Sequence, residues 1–140
     1  MKQLTLLLTC FLPLMVSAAE SSELNNLKQL QWQKRIILVF SDRVEHYQQL
    51  FNDAEAAVKD RDIAWFIIDD KQLTSNYTGE ISESFLPQLH DQFTSSNEEI
   101  ILIGKDGGVK QRGEALPINQ LFDEIDSMPM RIREMQETAD

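Results

Sequence analysis

Two short stretches carry side chains suited to polar or acid/base chemistry: Asp42, Arg43, Glu45 and His46 in one, Asp69 and Asp70 in the other. Carboxylates offer hard oxygen ligands to a divalent cation, or acceptors to a polar ligand. His46 titrates near neutral pH and is a candidate acid/base. The spacing matches no diagnostic metal-ligand pattern. The plainer reading is that Ser41 or Asp42 caps a helix, the paired acids end a strand and His46 is solvated. A second constellation lies near the C-terminus, where Met128, Met130 and Met135 flank Arg131 and Arg133. Thioethers suit soft Cu(I), but no histidine or Met-x-x-Met array accompanies them, so no metal or cofactor is expected. Methionines can also seal a core. Beside arginines, which hydrogen-bond acidic groups with a planar fork, they suit a partner surface, and these five residues are the candidate contact to another envelope or extracellular protein.

Thiol chemistry is restricted by a single residue. Cys10 is the only cysteine, and it falls within the apolar run 4–16, behind Lys2 and ahead of Ser17-Ala18-Ala19. That layout reads as a secretory signal cleaved after Ala19. The run is interrupted by Pro13 and is short for a membrane span, which needs about 20 apolar residues, so no membrane anchor is expected. Leu7-Leu8-Thr9-Cys10 imitates a lipobox only loosely, because Thr9 is not small and Cys10 is not at the end of the run. Cleavage leaves 121 of the 140 residues, one domain's worth. They carry no cysteine, which closes the mature chain to disulfide stapling, thiol nucleophiles and thiolate metal sites. The removed piece holds only Lys2 among charged groups, leaving 12 basic against 23 acidic residues. A formal charge of −11 argues against nucleic acid or an anionic membrane as partner. The expected home is the periplasm or the exterior.

These candidate residues must be positioned by a small set of elements. The runs RIILVF (35–40), IAWFII (63–68) and EIILI (99–103) are apolar nearly throughout, as strands buried on both faces are. Val44, Tyr47, Leu50, Phe51, Ala54 and Val58 recur at helical spacing and predict one amphipathic helix over 44–60. A polar stretch, 71–80, predicts a loop. Ser84 is placed to cap a helix that holds Pro87 in its first turn and faces inward through Phe85, Leu89 and Phe93. Lys105-Asp106-Gly107-Gly108 signals a hairpin into a strand at 109–112. Ile118, Leu121, Phe122 and Ile125 mark a last core helix, and the methionine-arginine segment closes the chain. The expected division is a signal peptide at 1–19, a lead-in arm at 20–33, the domain at 34–136 and a tail at 137–140. The expected fold is α/β and thioredoxin-like, β-α-β-α-β-β-α with a mixed four-stranded sheet. Asn76-Tyr77-Thr78 satisfies a glycosylation sequon of a kind common by chance, and His90 reads as a lone surface histidine.

The stretch Leu102-Ile103-Gly104-Lys105-Asp106-Gly107-Gly108-Val109-Lys110-Gln111-Arg112, with Leu121-Phe122-Asp123-Glu124-Ile125-Asp126-Ser127-Met128-Pro129-Met130-Arg131 and Glu134-Met135, resembles the DUDES domain family. Its Met-Pro-Met-Arg end is the specific part, and Trp32-Gln33-Lys34-Arg35-Ile36-Ile37-Leu38-Val39-Phe40 fits the family's opening strand. The resemblance implies a thioredoxin-like fold, an extracytoplasmic setting and a relation to peroxiredoxins, without supplying catalytic residues. Two features of redox-active thioredoxins are missing. No Cys-x-x-Cys pair occupies the strand-helix junction Ser41-Asp42-Arg43-Val44-Glu45-His46-Tyr47-Gln48. No proline precedes the third strand in Ser95-Ser96-Asn97-Glu98. Both count against thiol-disulfide exchange and thiol peroxidase activity. The reading is therefore an exported, cysteine-free binding or interaction module. Its rival is a peroxiredoxin-related enzyme working through non-thiol residues around Glu45, His46 and Asp69.

Overall fold

The structure is a computed structural model and describes residues 22–93 and 98–139. The expected signal peptide with its Cys10, residues 95–97 of the proline-free loop, and the last residue of the expected tail lie outside the described residues. In chain order the elements are β1 (Arg35–Phe40), α1 (Val44–Asp53), α2 (Glu55–Asp60), β2 (Ile63–Ile68), β3 (Leu73–Ser75), α3 (Phe85–Gln92), β4 (Glu99–Ile103), β5 (Val109–Gly113), α4 (Ile118–Asp126) and α5 (Pro129–Ala139). A 3₁₀ turn, Leu27–Leu30, precedes β1.

The strands lie in the order β3-β2-β1-β4-β5. β1 and β2 are parallel, with Ile37 beside Trp65, and the other three pairs are antiparallel. Every residue of β1 and β2 is buried, as their apolar runs predict for all but Arg35. Side-chain alternation divides the core in two. Ile37, Val39, Trp65, Ile67 and Leu102 face Tyr47, Phe51, Val58, Leu121 and Ile125, which come from α1, α2 and α4. Leu38, Phe40, Phe66 and Ile101 face Phe85 and Leu89 of α3, with Leu24 and Leu30 of the lead-in arm. Phe51 stacks on Trp65 at 5.1 Å between centroids, which adds ring-ring attraction to the area removed from water.

The sheet has five strands where four are expected. Asp69 accepts hydrogen bonds from the amides of Lys71 (2.7 Å) and Gln72 (3.2 Å), and this tight turn returns Leu73, Thr74 and Ser75 beside Ile68, Ile67 and Phe66. A three-residue strand at a polar edge leaves too little periodicity to separate from a loop. Beyond Ser75 a side chain replaces backbone pairing. Asn76 accepts from the Trp65 amide (2.9 Å) and donates to the Ile63 carbonyl (3.0 Å), so the β2 edge is closed. The helix expected over 44–60 is two helices. Ala54 leaves helical geometry (φ −103°, ψ 20°), and the chain turns so that Val58 joins the same core layer as Tyr47 and Phe51.

Neither expected serine makes a capping hydrogen bond through its side chain, although Ser84 does stand at the position before α3. The Ser41 hydroxyl accepts from the Arg43 amide (3.1 Å) in a turn ahead of α1, whose cap position is Arg43. Ser84 pairs its hydroxyl with that of Ser82 (2.6 Å). The hairpin is as expected: Gly107 takes φ 84°, Gly104 donates to the Gly108 carbonyl (2.9 Å), and Asp106 accepts from the Gly108 amide (3.0 Å).

Candidate functional site

The end of the sheet where β1 begins collects most of the buried charge. Arg35 opens β1 and is 0 % exposed. Its guanidinium donates to Glu134 of α5 through Nη1 (3.1 Å) and Nη2 (3.2 Å), and to the Arg61 carbonyl (2.9 Å). Lys105, at the hairpin, reaches the same carboxylate at 2.6 Å and Asp62 at 2.9 Å. One turn earlier on α5, Arg131 pairs with Asp60 and with Asp126 (3.2 Å), and Arg61 forms a two-pronged pair with Asp126 (3.0 and 2.7 Å). Burial works against ionisation of Glu134 and Asp126. The cations around them outweigh it, Arg35 and Lys105 for the first and Arg61 and Arg131 for the second, so both carboxyls are held below their ordinary range. Burial likewise opposes the Arg131 charge and is outweighed by Asp60 and Asp126.

α5 is docked mainly by these charges, because Arg131 is the one residue of the helix that is buried. Its sequence partners divide by face. Arg133 is exposed and unclaimed by the network, and Met135 is exposed together with Ile132, while Met128 and Met130 are half-buried. Met128 packs against the core layer of α4. Met128, Pro129 and Met130 also wall a cleft of about 430 Å³ against Gly104, Lys105 and Arg35. Of the large apolar side chains exposed among the described residues, the four are Trp32, Val109, Ile132 and Met135. All belong to segments meeting at this end: the Trp32 amide donates to the Lys105 carbonyl (2.6 Å), Val109 starts β5, and Ile132 and Met135 flank Glu134. Trp32 is 62 % exposed and held at φ 67°, a conformation that side chains disfavour.

The opposite end, at the carboxyl edge of β1 and β2, does not gather its six candidate residues. Arg43 and His46 line a groove of about 330 Å³ with Tyr47, Leu50 and the residues leading into α4. Arg43 pairs with Glu98, to which the Tyr47 hydroxyl donates at 2.8 Å. The Arg43 hydrogen bond, then that of Tyr47, holds Glu98 below the ordinary carboxylate range. Burial, then Glu98, raises the Tyr47 phenol. Asp42, Glu45 and Asp70 are exposed and outside this groove, and Asp69 is engaged in its own turn, its carboxyl lowered chiefly by the Lys71 amide. Among the described residues no three His, Cys, Asp or Glu side chains are arranged to hold a metal ion, and no helix is long and apolar enough to cross a membrane. His90 is exposed, with its ring 6.0 Å from that of Phe40. The Asn76 side-chain nitrogen is already engaged at the Ile63 carbonyl.

Sequence reasoning missed Arg35, Lys105, Glu134, Tyr47 and Glu98. Arg35 carried a signal, as a cation leading a strand whose other residues are all buried. The carboxylates that define their roles lie far along the chain, Glu134 at 99 positions from Arg35 and 29 from Lys105, and Glu98 at 51 from Tyr47, beyond the reach of any local pattern.

The fold and its two ends define a mixed α/β domain with a five-stranded mixed sheet and five helices. The chain belongs to the family described as Domain of unknown function (DUF4174), whose model matches residues 26–134. No curated protein and no solved structure matches it.

Proposed function

We propose that this chain is an exported, thioredoxin-like binding or interaction module of the DUDES type, and that it meets a protein partner of the envelope or exterior at the end where β1 begins. The thioredoxin-like reading is supported by the strands β2-β1-β4-β5, one parallel pair extended by two antiparallel ones, with β3 added at the edge. Export is supported by the signal-like layout of residues 1–19. The observation that carries the interaction reading is the gathering of Trp32, Val109, Ile132 and Met135 at one end of an otherwise acidic molecule. Exposed aromatic, methionine and arginine side chains are the residues enriched at interface centres. A strained tryptophan kept in solvent fits a role outside the fold. The enzyme reading rests on residues around Glu45, His46 and Asp69, of which only His46 lines the groove with Arg43 and Tyr47, so these three do not converge as an acid and base.

The test is capture of partners from the organism's own envelope fraction with the wild-type chain and with an Ile132→Ala/Met135→Ala variant. Both residues are exposed, so the variant should fold with an unfolding free energy within about 0.5 kcal/mol of wild type per site. The proposal expects capture to be lost. Unchanged capture by the folded variant would reject the surface.

A further inference from the structure

We propose that the pocket between the lead-in arm and the hairpin receives one bulky apolar side chain from an acidic segment of the protein partner, whose carboxylates meet Lys28 and Lys34 at the rim; this rests on the interaction reading and gives the partner a chemistry. The pocket, about 250 Å³, lies on the α3 side of the sheet at the end where β1 begins, and Leu27, Ile36, Phe93, Ile103 and Val109 supply its apolar lining. Ile36, Ile103 and Val109 are register partners across β1, β4 and β5, so they form one row that runs to the edge of the sheet. Ile36, Ile103 and Phe93 are buried, whereas Val109 is 48 % exposed on a strand with no neighbour beyond it among the described residues. The walls are fixed before any partner arrives. Gln31 Nε2 donates to the Asp106 carbonyl (2.8 Å) and the Trp32 amide to that of Lys105 (2.6 Å), which ties the arm to the hairpin. The volume falls below the roughly 300–1,000 Å³ of small-molecule sites and suits a single anchoring side chain.

The charge at the rim sets the sign of the partner. Lys28 lines the pocket, is exposed and makes no ion pair among the described residues. The Lys34 side chain is 45 % exposed; its carboxylate contact is Asp62 at 4.0 Å, the limit of an ion pair, and Asp62 is already held by Lys105 at 2.9 Å. Asp106 is the one carboxylate in the lining, and it is engaged by Lys110 (2.7 Å) and by the Gly108 amide (3.0 Å). Two reachable cations therefore face no free acid in the pocket. The chain as a whole carries −10, but charges are largely screened beyond about 8 Å at physiological salt, so a carboxylate at this rim meets the lysines first. Exposed ion pairs add little affinity each. The apolar anchor supplies the binding, and the lysines select an acidic segment over a basic one.

The experiment is a titration of the methyl-labelled protein followed by NMR at Leu27, Ile103 and Val109. The probes are acetyl-Asp-Glu-Phe-Glu-Asp-amide, the same peptide with alanine at its centre, acetyl-Lys-Lys-Phe-Lys-Lys-amide, and octanoate. The acidic phenylalanine peptide should shift all three residues saturably. The alanine peptide should bind at least about tenfold more weakly, the worth of one buried aromatic side chain, and the basic peptide should leave the methyls unmoved. Lys28→Glu/Lys34→Glu should weaken the acidic peptide at least about tenfold, since two attractions become repulsions. Because Lys34 also neighbours Asp62, Val109→Glu is the second variant: it sets a carboxylate at the mouth from an exposed position and should abolish binding while the circular dichroism stays that of wild type. The proposal is overturned if the acidic phenylalanine peptide gives no saturable shift, if the alanine peptide binds as tightly, or if either folded variant binds as wild type does. Octanoate saturating the same methyls more tightly than the peptide would also overturn it, in favour of a small acid. Failure here is separable from failure of the interaction reading: partner capture that depends on Ile132 and Met135, with no peptide shift, leaves that reading standing without this pocket.

Discussion

Arg131 shows how one side chain can look like surface in the sequence and act as a tie in the fold. It sits between Met130 and Ile132 in a polar C-terminal stretch, where an arginine is ordinarily solvated, yet it is 5 % exposed and holds Asp60 and Asp126. Arg131→Ala should cost about 1–3 kcal/mol in urea unfolding, at the level of lost charged hydrogen bonds, because both carboxylates left behind can reach water. Arg133→Ala should stay within about 0.5 kcal/mol, since that residue is exposed and outside the network. Asn76 is a comparable case. Its two hydrogen bonds to β2 predict a loss of about 1–3 kcal/mol in Asn76→Ala by the same measurement, from an amide and a carbonyl left unpaired at the strand edge. In the sequence this residue offered only a sequon. The information that decides its role is the spatial neighbour, Trp65, which no local pattern supplies.

Elements were legible in proportion to how fully hydrophobic burial specified them. β1, β2 and β4 announce themselves because strands covered on both faces need apolar residues at nearly every position. α4 is visible through Leu121, Phe122 and Ile125 at helical spacing. β3 is three half-buried residues, and the break at Ala54 keeps the apolar period running through it, so neither could be read. α5 is the instructive failure: it docks through Arg131 and Glu134, and a helix held by charge has the sequence of a solvated tail. Its stability should follow those charges. Glu134 and Asp126 have folded values below the ordinary carboxylate range. Their contribution is therefore fully present above the unfolded value of about 4 and is lost as pH falls through the folded one. The protection factors of the α5 amides should be steady from pH 7 to about 5 and should fall below about 4, ahead of those of the β1 and β2 amides. Glu134→Gln should raise α5 exchange about 10- to 100-fold at neutral pH, from losing the charge that faces Arg35 and Lys105. If α5 exchanges only together with the sheet, the helix is not a separately held element.

At the scale of the molecule, the sheet separates two ends of different character. One holds Arg43, Tyr47 and Glu98 hydrogen-bonded together beside a groove walled by Leu50, Leu116 and Pro117, with the remaining candidate acids dispersed. The other joins a buried ion network to exposed apolar side chains and a cleft, in a chain whose formal charge is −10. Strong net charge of one sign opposes self-association, which is why the proposal gives the apolar end to a different partner. Composition made that acidity plain, but not the grouping of Trp32, Val109, Ile132 and Met135, which depends on the antiparallel return of β4 and the docking of α5. The claim that function sits at this end is tested most directly by placing a photo-crosslinking residue at Ile132 in one variant and at His46 in another. Both positions are exposed, so both variants should fold. After irradiation in intact producing cells, the account predicts a discrete crosslinked product from position 132 and none from position 46. Products from position 46 alone would contradict it and move the functional surface to the strand-helix junction.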